Sequence, residues 1–190
     1  MIKFILILLS LSIPNNSYSA IKSLSPTQLA QQVYDRNLGK DMQMKGVMEL
    51  ISKNGHVRKR EFLSLRKDKQ ENRMQLIRFT SPADIKGTTF LTLEKNGSNK
   101  TEQHLYLPAL KRTRRIVSSQ KGRSFVNSDF TYEDMQRHPV EEWEYKITGE
   151  EKISDRNCYI LLSHPKAETK TQYSKITSWI DKEHKMVLKT

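Results

Sequence analysis

Met42-Gln43-Met44-Lys45-Gly46-Val47-Met48-Glu49-Leu50-Ile51-Ser52-Lys53-Asn54-Gly55 is the stretch that decides the fold. Met42, Met44, Gly46, Met48 and Leu50 alternate with residues that include Gln43, Lys45 and Glu49. An alternation of this kind marks a strand with one face turned inward, because successive side chains of an extended chain point to opposite sides. Asn54-Gly55 follows, the strongest short hairpin signal, since both residues tolerate positive φ. A second strand over about 56–66 is predicted to fold back on the first, with Arg58, Lys59 and Arg60 exposed.

The same grammar continues downstream. Arg73 to Thr80 reads as a strand ended by Ser81-Pro82, and Thr88 to Lys95 as another, turned back by Asn96-Gly97-Ser98 into Gln103 to Leu107. Arg112 to Ser118 is a basic extended segment, whereas residues 119–141 are polar and irregular. Trp143, Tyr145 and Ile147 alternate with Glu142, Glu144 and Lys146, and three further strands are predicted within 158–163, 172–181 and 185–188. About nine strands joined by short turns pair antiparallel with their sequence neighbours. Upstream the period changes to that of a helix. Ser25 is a good N-cap, Pro26 suits the first helical position, and Gln28 completes the capping-box spacing. Leu29, Ala30, Val33, Tyr34 and Leu38 form one stripe before Gly39, which predicts an amphipathic helix over 26–38. A sheet with one apolar face must be covered, and this helix is the available cover.

The N-terminus has a different character. Lys3 precedes a short apolar run from Phe4 to Leu11, and Ser17-Tyr18-Ser19 supplies small residues at the exit. Charged start, apolar core and small-residue exit read as a secretory signal peptide over 1–19, cut before Ala20. The run is shorter than the roughly 20 residues a membrane-spanning helix needs. A single domain is expected over 20–190, exported from the cytoplasm. Cys158 is the sole cysteine, so the fold is expected to rest on its hydrophobic core rather than on an internal disulfide. No cysteine follows the apolar run, so no lipid anchor is expected there. The chain carries 33 Lys+Arg against 21 Asp+Glu, a net charge of +12. In an exported protein that balance points to anionic membrane surfaces, anionic ligands or acidic partners, not to nucleic acid.

Catalytic machinery is not legible. The histidines at 56, 104, 138, 164 and 184 are scattered, and no metal-binding pair, nucleophile elbow, phosphate loop or dinucleotide fingerprint occurs. Adjacent acids such as Glu133-Asp134 and Glu141-Glu142 read as solvated surface. The expectation is a binding protein, not an enzyme, with no cofactor and no metal.

Three blocks carry a more specific signal: Gln75 to Thr88, reading QLIRFTSPADIKGT; Leu105 to Ile116, reading LYLPALKRTRRI; and Ser128 to Met135, reading SDFTYEDM. With these blocks the chain resembles the bacterial outer membrane lipoprotein-sorting protein family, relatives of the periplasmic lipoprotein carrier LolA. The resemblance implies a mainly β fold with a helical lid: a curved antiparallel sheet forming an incomplete β-barrel (LolA/LolB-like) around an apolar cavity. Family members usually run on for several more strands, so either the chain is truncated here, which would leave one sheet edge unpaired, or the final strands are missing.

The implied function is that of a periplasmic carrier, which binds lipoprotein acyl chains or another hydrophobic ligand and hands it on toward the outer membrane. The implied partners are the ligand itself and an inner-membrane transporter, either RND-type or lipoprotein-releasing. An accessory protein of an RND-type exporter and a lipid-sensing regulatory domain are the alternatives. Exposing a hydrocarbon costs about 0.8 kcal/mol per CH₂, so a carrier needs an apolar lining. Met42, Met44, Met48, Leu50, Leu91, Leu93, Leu105, Leu107, Trp143 and Ile147 are the candidate lining, with ordinary core packing as the alternative for each. Lys111, Arg112, Arg114 and Arg115 are candidate contacts to lipid headgroups or an acidic partner. The Ser128–Met135 block is expected to be a structural or partner-contact loop.

Overall fold

The structure, a computed structural model, describes residues 24–69, 72–95 and 101–190. The expected signal peptide and the Asn96-Gly97-Ser98 turn lie outside the described residues. The first sheet is antiparallel and runs in chain order: β1 (Asp41–Ile51), β2 (Val57–Lys69), β3 (Asn72–Ser81), β4 (Thr89–Lys95), β5 (Thr101–Leu107) and β6 (Arg112–Ile116). The second contains β7 (Trp143–Ile153), β8 (Arg156–Pro165), β9 (Ile176–Asp181) and β10 (Val187–Lys189), ordered β10-β9-β8-β7. Ten strands thus stand among the described residues where about nine were expected, and the two sheets do not join into a closed barrel.

The β1–β2 hairpin forms where Asn54-Gly55 predicts it, but its loop is longer than two residues. The Gly55 N–H donates to the Ser52 carbonyl at 2.8 Å, and the Ser52 N–H donates to the His56 carbonyl at 2.9 Å. Gly55, at φ 79°, takes the left-handed position just after the tight turn, the arrangement of a three-residue hairpin loop. The alternation in β1 holds: Met42, Met44, Gly46, Met48 and Leu50 pair with Arg66, Ser64, Phe62, Arg60 and Arg58. Gly46 has a packing reason, since a Cβ there would lie 2.4 Å from the Phe62 ring.

Register carries this face across the sheet to Ile77 and Phe79, Phe90 and Thr92, Gln103 and Leu105, and Ile116. It is the inner face, and residues 117–135 fold over it. Phe79, Phe90, Leu105 and Ile116 pack with Phe125 and Tyr132 from that segment. Ring centroids lie 5.1 Å apart for Phe90–Phe125 and 5.8 Å for Phe125–Tyr132, both edge-on contacts that aromatic quadrupoles favour. Polar side chains of the sheet then grip the segment's carbonyls. Gln103 Nε2 donates to Tyr132 O at 2.7 Å, Thr92 Oγ1 to Met135 O at 3.2 Å, and an Arg60 guanidinium N–H to Val126 O. Arg60 is therefore buried, not exposed as its place in a basic run suggested. The register puts it opposite Met48, on the inner face.

Helix α1 (Pro26–Tyr34) starts as predicted, with the Ser25–Gln28 capping box formed in both directions. It ends four residues before the predicted Leu38. The Asn37 side chain accepts from the Gly39 N–H at 2.9 Å, a local turn that competes with helical hydrogen bonding. The helix is a lid, but over the second sheet. Leu29 and Ala30 bury against Val140, Leu161 and Ile180, with Tyr145 and Ile147 alongside. Arg137 ties helix to first sheet: its Nε donates to Glu94 at 2.7 Å, and its guanidinium stacks 4.2 Å from the Tyr34 ring.

Candidate functional site

The inner face of the first sheet divides into a filled part and an open margin. The residues expected to line one cavity fall on both sides of that divide, and some fall outside it. Leu105 is 3% exposed and belongs to the aromatic core, with Leu107 and Met48 packed at its edge. Trp143 is buried with its ring edge-on to His138 at 5.2 Å, and Ile147 packs beneath α1. Leu91 and Leu93 lie on the opposite, outer face, because β4 turns Phe90 and Thr92 inward against Ile77 and Gln75. That corrects their grouping with Leu105 and Leu107, which the β4–β5 register places on the other side of the sheet.

The open margin is at β1. Met44 is 45% exposed and Met42 36%, although both point to the inner face. Further along, Met48, Leu50 and Arg58 face residues 127–130 across a cleft of about 300 Å³. Phe130 stands on its far wall and is 53% exposed. Val126 and Asn127, leading into this wall, both have positive φ, at 47° and 59°. A β-branched residue in that region is strained by about 1–3 kcal/mol, and the Arg60 bond to its carbonyl helps to hold it there. Val126 is thus held in a conformation that its own side chain disfavours, whereas Asn127 tolerates it.

Two other recesses bear on the chemistry. A groove of about 490 Å³ runs over the outer face along Leu65, Met74, Leu76 and Leu91. It is strongly apolar but walled only by the sheet. A larger recess, about 1130 Å³, is lined by Lys121, Arg137, Glu141, Glu142, Lys166 and Glu168 among others. Charged side chains of both signs make up most of its lining, which makes it unsuited to a hydrocarbon; the β1 cleft carries fewer, Glu49, Arg58 and Asp129, beside its apolar residues.

The Ser128–Met135 block proves to be a latch. Asp134 accepts from Thr131 N at 2.7 Å, Thr131 Oγ1 at 2.9 Å and Tyr173 Oη at 2.8 Å. Glu133, 4% exposed, accepts from Thr171 Oγ1 and from Gln172 N at 3.3 Å. Both acids are engaged with strap residues 171–173 and are not solvated surface. His138 Nδ1 lies 4.0 Å from Glu133. Burial pulls its pKa below the ordinary imidazole value, Glu133, Asp134 and Glu142 pull it back up, and Lys121 pushes it down. Periodicity could not reveal this segment, because its residues are placed by contacts distant in sequence.

Lys111, Arg112, Arg114 and Arg115 are all exposed at the β5–β6 turn and along β6. Among the described residues β6 pairs only with β5, so its charges discourage pairing with another chain. Arg115 makes a solvent-exposed ion pair with Glu102 at 3.6 Å. Among the described residues no group of three or more metal-ligating side chains is clustered, and no helix is long and apolar enough to cross a membrane.

A family model with the description "-like: Uncharacterized protein" matches residues 71–190. No curated protein matches the chain significantly. A domain from Vibrio parahaemolyticus, provisionally described as an outer membrane lipoprotein-sorting protein, is 28% identical with a TM-score of 0.75, over 86% of this chain and 69% of that one. A LolA superfamily protein from Nitrosomonas europaea has a TM-score of 0.53 over 84% of this chain and 66% of its own; at 17% identity it speaks to the fold alone. A DUF1329 family protein from Desulfovibrio piger is 33% identical with a TM-score of 0.76, covering 86% of this chain and 70% of its own. With that identity and coverage, and with two sheets and a helical lid arranged as in the LolA superfamily structure, the chain belongs to the DUF1329 family.

Proposed function

We propose that the protein is a carrier for a hydrocarbon chain, held at the open margin of the inner face between β1 and residues 127–130. One observation carries this reading. Met48 and Leu50 on β1 face solvent-exposed Phe130 across a two-walled cleft, and half-exposed Met44 lies further along the same strand face, in a fold shared with a relative described as a lipoprotein-sorting domain. Methionine adapts to cargo of varied shape. A chain lying between two walls is shielded on both sides, whereas the outer groove shields one. The cleft volume of about 300 Å³ lies at the small end of ligand pockets, so the margin holds part of a chain and releases it readily. That suits handover more than storage.

In this reading residues 20–190 act as one carrier unit in the periplasm after removal of a leader over 1–19, and the cargo is a lipoprotein acyl chain or a similar lipid. The work is burial and release, without a catalytic step. A fluorescent fatty-acid probe tests it. The wild-type protein binds the probe, and Met44→Glu or Phe130→Ser, both at exposed positions that leave the core intact, weakens binding about tenfold, roughly 1.4 kcal/mol. Wild-type protein that neither binds the probe nor yields lipid on solvent extraction contradicts the proposal.

A further inference from the structure

The basic block on β6 is unused by the hydrocarbon site, and its surroundings point to a ligand of its own. Pro108-Ala109-Leu110 forms a single tight turn closed by the Lys111 N–H on the Pro108 carbonyl at 3.0 Å. Lys111 takes a left-handed conformation, φ 47°, and the chain returns as β6 with Arg112 opposite Leu107. Leu110 is left 62% exposed at the tip, with Val117 at 50% past the other end of β6 and Tyr106 at 37% on the neighbouring strand. Among the described residues, Lys111, Arg112 and Arg114 form no ion pair, and Arg115 has only the exposed contact with Glu102. Lys86 is a further exposed cation on the turn beside it, where Gly87 abuts Pro108, and exposed Asp84 partly offsets it.

A leucine at an apex, an amphipathic tyrosine and unneutralised cations form the pattern that binds an anionic bilayer. The cations are attracted to the headgroups, and the apolar tip enters the interface. An acidic protein surface would pair with the arginines but offers nothing for a lone leucine standing in water. We infer that the β5–β6 turn docks the protein edge-on on an anionic lipid surface, with Leu110 inserted and Lys111 at the tip, while Arg112 and Arg114 on one face of the edge strand and Arg115 on the other reach the headgroups from either side. This surface is independent of the hydrocarbon site and stands or falls without it.

Co-sedimentation of the full chain with vesicles tests the inference. Mixed phosphatidylglycerol–phosphatidylcholine vesicles bind the protein and phosphatidylcholine vesicles do not. Binding falls as salt shortens the screening length from about 10 Å at 0.1 M to about 3 Å at 1 M. Reversing Arg112, Arg114 and Arg115 to Glu weakens it by about tenfold or more, and Leu110→Asp by about threefold or more, from loss of the inserted side chain. Reversing the exposed Lys45, Lys53 and Lys146 instead, the same change in net charge, leaves most of the binding. Equal loss in both triple variants would show attraction to overall charge and overturn the site. So would undiminished binding by the β6 variant, or equal binding to neutral vesicles. Circular dichroism confirms that each variant is folded.

Discussion

Phe90 and Met44 point to the same face of the same sheet, yet Phe90 is 1% exposed and Met44 45%. The difference lies in what covers them. Over β3–β5, Phe125 and Tyr132 descend from the irregular segment and close an aromatic cluster, and Gln103 and Thr92 bind that segment's carbonyls. Along β1 the segment faces only the Met48–Ser52 end, as the separate wall of a cleft, and Met44 lies outside that cleft's lining. Alternation along a strand says which residues face inward. It does not say whether the inward space is occupied by the protein's own side chains or left for a guest.

Truncation separates the two regions most sharply. Phe125→Ala removes the ring at the centre of the cluster and is expected to cost about 3–5 kcal/mol, whereas the same truncation at half-exposed Met44 costs less than about 1 kcal/mol. Denaturant midpoints measure both. Comparable losses at the two sites would mean that the margin is packed core after all.

A smaller effect concerns the latch that holds the covering segment. The native state disfavours protonated His138, so the unfolded chain binds more protons below about pH 6.5. Stability is therefore full above that value and declines as the pH falls through it. The groups facing the ring are Glu133, Asp134, Glu142 and Lys121, and the carboxylates soften the effect without reversing it. Midpoints compared between pH 7 and pH 5.5 should fall more for the wild type than for His138→Gln. Parallel curves would remove His138 from the latch.

Local signals carried much of the fold. The β1 alternation, the Asn54-Gly55 turn and the Ser25–Gln28 cap each lie within a few residues of chain; the alternation and the cap form as read, and the turn forms in place with a longer loop. The long-range parts were hidden. Leu91 and Leu105 look alike in sequence, and only the β4–β5 register places them on opposite faces. Arg60 looks like solvated charge until it is found bound to the carbonyl of Val126, 66 residues away. The covering role of Phe125 and Tyr132 depends on a segment with no period, and so does the division of the candidate site into a filled part and an open one.

The methionines themselves can locate a bound chain. With methyl-labelled methionine and a spin-labelled fatty acid, NMR line broadening reports which methyl groups lie near the guest. Met44 and Met48 mark the inner margin, and Met74 marks the outer groove. Broadening of Met44 and Met48 with a sharp Met74 signal is the predicted result. A broadened Met74 with Met44 and Met48 unaffected would place the chain on the wrong side of the sheet and contradict the account.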